Sequence, residues 1–287
     1  MHNLYEHDLN PISRHRQCVN HPGTPHITAA CLERRYYLLT LLAAGWGQSH
    51  AQNKPPSGSV RVVAASDLKF ALDDLVARFT SETSTNVSLY FGSSGSLAAQ
   101  IRQGLPADLF MSADESLVYE LHAQGLLRNT GALYGEGRIA LIASAQSQLP
   151  LDENFSGVRT NWAQVNKFAI ANPQHAPYGR AAKEALQKWG VWDFVQSKLI
   201  LGENISQATQ FITTGAAQVG ITALSLALTG ALAPSTRYLV LPNRLHSPLK
   251  QRMALTKNAS EEAAQFFVWL QSPGSKLVLQ KYGFATL

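Results

Sequence analysis

From Ser59 onward, short β-branched and apolar runs alternate with stretches whose apolar residues fall at helical spacing, and no low-complexity linker interrupts the series. Val60–Ala65 reads as a strand, after which Leu68, Leu72, Leu75, Val76 and Phe79 share one helix face. Val87–Phe91 and Asp108–Met111 are two further strands, each followed by a helical pattern, over 96–103 and 113–124. Strands separated by helices of this length imply βαβ units, right-handed crossovers and a parallel sheet.

Gly137–Ala143 begins a second series, with strands at Lys167–Ala171, Lys198–Leu201, Val219–Thr222, Tyr238–Leu241 and Gln251–Thr256. Helices are expected over 179–189, 205–214, 260–271 and 274–282. The chain of 287 residues is long enough for two lobes with separate cores. The expected fold is two-lobed α/β, each lobe a mainly parallel sheet flanked by helices. Lobe 1 takes 59–137 and 257–287, and lobe 2 takes 138–256. A ligand would lie between the lobes, at the carboxyl ends of the strands.

The N-terminal region reads differently. Residues 1–33 are polar and rich in His and Pro; Arg34-Arg35 then precedes an apolar run from Tyr36 to Trp46 that ends in small residues near Ala51. That is the layout of a secretory signal, and the run is shorter than the roughly 20 residues a membrane span needs. Residues 1–51 are therefore expected to be an extension plus signal, removed on export by the general or the twin-arginine route. Cys18 and Cys31 both lie in that segment. The mature chain thus has no disulfide, thiolate metal site or lipid-bearing cysteine, and a soluble periplasmic protein is expected. The formal charge of +5 is spread without a basic stripe, which argues against a nucleic-acid surface.

Three junctions carry the functional information: Val-Val-Ala-Ala-Ser-Asp-Leu (62–68), Phe-Gly-Ser-Ser-Gly-Ser-Leu (91–97) and Asn-Pro-Gln-His-Ala-Pro-Tyr-Gly (172–179). Each passes from an extended segment, through small or hydroxyl residues, into a helix. A helix start carries unpaired N–H groups and the positive end of its dipole, so several converging would form a neutral oxyanion socket. Glu203-Asn204-Ile205 is a fourth such start. Ser66 and Ser94 also suit plain N-caps. Asp67 would repel an anion if it faced the cleft, and is expected to point to solvent or to Lys69 instead. No dinucleotide or phosphate-loop fingerprint, G-x-S-x-G elbow or H-E-x-x-H pair is present, and His122, His175 and His246 are scattered. No catalytic constellation is visible.

Ala64–Lys69, Phe91–Ile101, Gly104–Asp114, Ala171–Leu186 and the closing Lys281-Tyr-Gly-Phe resemble the periplasmic molybdate-binding proteins of the ABC molybdate importer. That family holds a tetrahedral oxyanion with serine hydroxyls and main-chain amides. Carried onto this chain, the resemblance implies Ser66 and Ser94 from lobe 1 and the Tyr178 and Ile205 amides from lobe 2, with molybdenum entering as molybdate through these four. Many members add a tyrosine hydroxyl where this chain has Ala223, and the Tyr178 phenol is the expected substitute. The implied role is capture of molybdate, and of tungstate with it, by a monomer that needs no cofactor and delivers to an inner-membrane ABC permease. Sulfate or another tetrahedral oxyanion on the same fold is one alternative. A hydrolase using a cleft serine is another, and a sensor that binds without delivering is a third.

Overall fold

The structure is a computed structural model that describes residues 59–229 and 233–285; the expected extension and signal, residues 1–51, lie outside them. Among the described residues, ten strands form two five-stranded sheets. In the first lobe these are β1 (Val60–Ala65), β2 (Val87–Gly92), β3 (Leu109–Ser112) and β4 (Ala132–Gly137). The second lobe has β5 (Ile139–Ser144), β6 (Phe168–Ala171), β7 (Leu199–Gly202), β8 (Val219–Ala223) and β9 (Thr236–Val240). β10 (Leu249–Leu255) then returns to the first sheet, giving the orders β2-β1-β3-β10-β4 and β7-β6-β8-β5-β9.

The two orders are one pattern. Each sheet has three parallel strands, then one antiparallel strand inserted from the other side of a lobe crossing, then an antiparallel edge. The sheets are therefore mixed, a parallel set of three strands extended by antiparallel pairings. The lobe boundary also moves: β10 pairs with β3 and β4, so lobe 1 resumes at Leu249 and not at 257. Its inward residues Met253 and Leu255 complete the lobe 1 core. Hydrophobic spacing identifies a strand but not the sheet that receives it. The chain thus crosses between lobes at Arg138 and over 241–248, each time from an edge strand into the inserted strand opposite.

Ten α-helices among the described residues cover the sheets. Lobe 1 carries α1 (Lys69–Thr83), α2 (Ser94–Arg102) and α3 (Glu115–Ala123). Lobe 2 carries α4 (Ser156–Thr160), α5 (Pro177–Lys188), α6 (Trp192–Gln196), α7 (Ile205–Thr213) and α8 (Leu224–Ala227). α9 (Glu261–Trp269) and α10 (Pro273–Lys281) close lobe 1. Strand residues alternate between two covered faces: Val62, Ala64 and Met111 pack under α1 and α9, while Val63 and Phe110 pack under α2 and α3. Phe79 of α1 meets Phe266 and Trp269 of α9 at ring-centroid distances of 4.7 and 5.4 Å. Full burial, as at Phe79 and Phe266, contributes about 1.5–3 kcal/mol per side chain. These cores hold the strand ends still, and the strand ends carry the site. Among the described residues, no helix is long and apolar enough to cross a membrane.

Candidate oxyanion site

Parallel pairing sets the ends of β1, β2 and β3 side by side in one lobe and those of β6, β7 and β8 in the other. Each strand feeds a turn and a helix start at that edge. One small cavity collects them: its wall is Ala65–Asp67, Gly92–Ser94, Ala113, Ala176–Tyr178 and Ile205. All four residues named from the sequence, Ser66, Ser94, Tyr178 and Ile205, thus line a single space between the lobes. None of the lining residues is Lys, Arg or His.

The local reasons are legible. Ser93 is the N-cap of α2, its hydroxyl accepting from the Ser96 N–H, which leaves Ser94 as the first helical residue. Ser94 Oγ accepts from the Ala113 N–H at 2.9 Å, so its own proton is free for the cavity. Pro177 opens α5 behind Ala176, which has no capping side chain, so the Tyr178 N–H in that first turn has no helical acceptor. Asn204 caps α7 by accepting from the Gln207 N–H, leaving the Ile205 N–H likewise without one. Ser66 opens a short 3₁₀ turn ahead of α1. Its hydroxyl donates to Asn204 Oδ1 at 3.1 Å and accepts from the Ser206 N–H at 3.3 Å.

Those last bonds join lobe to lobe, and others reinforce them. Ser206 Oγ donates to the Ser66 carbonyl and Ser225 Oγ to the Asp67 carbonyl, at 2.9 and 2.8 Å. The Gly95 N–H donates to the His175 carbonyl at 2.9 Å, and His175 Nδ1 lies 2.8 Å from Ser93 Oγ. A Cβ at position 95 would stand 2.4 Å from that carbonyl oxygen, so only glycine permits the approach. The lobes are closed on each other.

Two expectations need correction. Asp67 does not face solvent or Lys69: it is 1% exposed. The Tyr178 phenol donates to Asp67 Oδ2 at 2.9 Å, and Gln251 Nε2 donates to the same oxygen at 2.8 Å. The phenol's single proton is therefore already committed, and it does not stand in for the tyrosine hydroxyl missing at Ala223. Gly137 makes this cluster possible, because a Cβ there would lie 2.2 Å from the phenol oxygen. Tyr134 donates to Gln251 Oε1 at 2.8 Å and fixes the amide's orientation. Burial pushes the Asp67 carboxyl up from 3.8 to about 6, against the lowering effect of its bonds from Gln251 and Tyr178. Burial, and then the Asp67 charge, raise the Tyr178 phenol well above its ordinary value. Among the described residues, no cluster of His, Cys, Asp and Glu is arranged to hold a metal ion.

Sequence reasoning missed Gln251 and the Ser93–His175 contact, and it misplaced Asp67. Gln251 did leave a signal, as an inward-facing polar residue in the alternating strand Leu-Lys-Gln-Arg-Met-Ala-Leu.

Known proteins are similar to this chain in sequence and fold. Residues 60–285 match the family described as bacterial extracellular solute-binding protein. The molybdate-binding protein ModA of Rhodobacter capsulatus is 34% identical over 236 residues, covering 80% of this chain and 90% of that one. The solved periplasmic molybdate-binding protein of Azotobacter vinelandii superposes with a TM-score of 0.74 at 29% identity, covering 80% of this chain and all of that one. The sulfate-binding protein SubI of Mycobacterium tuberculosis shares the fold, with a TM-score of 0.67 at 13% identity over 80% of this chain and 87% of its own. The chain belongs to the bacterial extracellular solute-binding proteins, and among them to the ModA type.

Proposed function

We propose that this protein captures molybdate, and tungstate with it, in the periplasm and delivers it to an inner-membrane ABC permease. The observation that carries the reading is the small cavity walled by four helix starts and three serines, with no cationic side chain. Molybdate and tungstate are acceptor-only dianions at neutral pH, and a shell of neutral donors satisfies them. Ser94 supplies a hydroxyl and Tyr178 and Ile205 supply amides, while Ser66 joins them when its proton turns from Asn204 Oδ1 to the anion. They act on the oxygens of the anion, so they are hydrogen-bond partners and not metal ligands. Sulfate has shorter bonds and would leave some donors unpaired, at about 1–3 kcal/mol each. An anion bridging both lobes favours the closed form, with hinge motion at Arg138 and 241–248. The role needs no cofactor and no second copy of the chain.

Binding, not catalysis, fits the hydroxyls. Ser94 Oγ has an amide and no base beside it. Ser93, His175 and Glu203 do form a hydroxyl–imidazole–carboxylate series, with His175 Nε2 at 3.4 Å from Glu203. Ser93 Oγ, however, accepts from the Ser96 N–H and donates to Ser96 Oγ, which is a cap tied into a lobe clasp. Isothermal titration with molybdate, tungstate, sulfate and phosphate tests the proposal. Tight binding of the first two and weak binding of the others is expected. Preference for sulfate, or hydrolysis of an ester abolished by Ser93→Ala or Ser94→Ala, would overturn it.

A further inference from the structure

Asp67 is a carboxyl in the wall of a cavity whose other lining residues are neutral. Its two oxygens have different surroundings. Oδ2 is filled, accepting from Tyr178 and Gln251 at 2.9 and 2.8 Å. Oδ1 is buried and has no partner. A buried polar atom normally finds one, so this oxygen asks for an explanation.

Nothing around Asp67 supplies a compensating cation. Tyr178 faces it from α5, Tyr134 stands behind Gln251 on β4, and β10 contributes only the neutral Gln251. From α8, Ser225 bonds its main-chain carbonyl. An ionised Asp67 in the wall of an occupied cavity would set a carboxylate against a dianion with no cation to balance it. A proton removes the conflict. It belongs on Oδ1, because Oδ2 is already occupied by two donors.

Building on the molybdate reading, we infer that Asp67 carries a proton on Oδ1 when the cavity holds its oxyanion, so that it joins the socket as a neutral donor and capture is coupled to proton uptake. The proton comes from solvent, and no covalent bond changes. Burial supports this by raising the empty protein's carboxyl to about 6, and an adjacent dianion raises it further. At pH values between the empty and the occupied state, each binding event must therefore take up a proton. Affinity then falls tenfold per pH unit.

Titration calorimetry of the full chain with sodium molybdate, at pH 8 in buffers of differing ionisation enthalpy, tests this. Uptake of about one proton per anion is expected for the wild type and none for Asp67→Asn. Affinity should fall about tenfold per unit above pH 6 in the wild type and stay flat in the variant. Molybdate binding by the wild type with no dependence on buffer would overturn the coupling and leave the transport reading standing. Absence of molybdate binding would overturn that reading and the coupling together. Should Asp67→Asn fail to fold by circular dichroism, the wild-type buffer series decides alone.

Discussion

The two sheets share one topology, yet they present different chemistry at the same edge. In lobe 1, β1 and β2 run into Ser66 and Ser94, whose side chains carry hydroxyls to the cavity. The equivalent strands of lobe 2, β6 and β7, lead to Tyr178 and Ile205. There the side chains are occupied elsewhere: the phenol is bound to Asp67 and Ile205 packs in the lobe 2 core. Topology aims helix starts at the cleft, and local sequence decides whether side chain or backbone is offered. Lobe 1 donors should therefore be removable by ordinary substitution, whereas lobe 2 donors should survive almost any change of side chain.

The largest effect is expected from Ser94→Ala, which attacks that distinction twice. It deletes a hydroxyl donor to a dianion, worth about 1.5–3 kcal/mol, or tenfold to roughly 150-fold in molybdate affinity. It also strips the buried Ala113 N–H of its acceptor, which lowers stability by about 1–3 kcal/mol. Calorimetry and urea denaturation read the two separately. Unchanged affinity would place the working donors of lobe 1 elsewhere.

Asp67 sharpens the comparison, since it is a lobe 1 group held by a lobe 2 phenol. Its carboxyl is raised from 3.8 to about 6 in the folded chain, so ionisation opposes folding. The stability it contributes is complete below pH 4 and is lost as pH rises towards 6; the difference is about 3 kcal/mol. Without ligand, Asp67→Asn should therefore gain about that much relative to the wild type between pH 4 and pH 7. Parallel stability curves for the two proteins over this range would show that the carboxyl is not strained by burial.

These long-range relations mark where sequence reading stops. The convergence of Ser66, Ser94, Tyr178 and Ile205 was legible because parallel βα units put every helix start at one edge, whatever the remaining contacts are. The direction of Asp67 was not, because its partners Tyr178 and Gln251 lie 111 and 184 residues away. β4 was missed because Ala-Leu-Tyr-Gly-Glu-Gly carries two glycines and weak alternation. The sheet receiving β10 was equally hidden, since its pattern fits either lobe. Local rules gave the elements and their polarity. What they could not give is how one lobe's side chains fill the other's gaps.

Position 205 tests the backbone half of the comparison. Ile205 is the first residue of α7, where proline is tolerated by the helix, and Asn204 before it is extended as a residue preceding proline must be. Ile205→Pro should thus keep α7 while deleting one amide donor, and weaken molybdate binding about tenfold or more. Ile205→Val changes only packing and should stay within about threefold. Equal affinities for the two variants would mean that the Ile205 N–H is not a donor to the anion.

The smallest effect is expected from the clasp outside the cavity. Arg180 on α5 reaches Asp114 at the start of α3, at 2.5 Å, so the pair ties lobe 2 to lobe 1. The arginine side chain is half exposed, which limits such a pair to about 0–1 kcal/mol. Arg180 is the cleaner partner to remove, because Asp114 also caps α3 by accepting from the Ser116 N–H. Arg180→Ala should loosen molybdate binding less than about fivefold, mainly by faster release, and 0.5 M salt should erase the difference. A larger loss that persists in high salt would mean that closure leans on this surface pair more than on the buried bonds of Ser66, Ser206 and His175. The division of labour between the lobes would then have to extend to their rims.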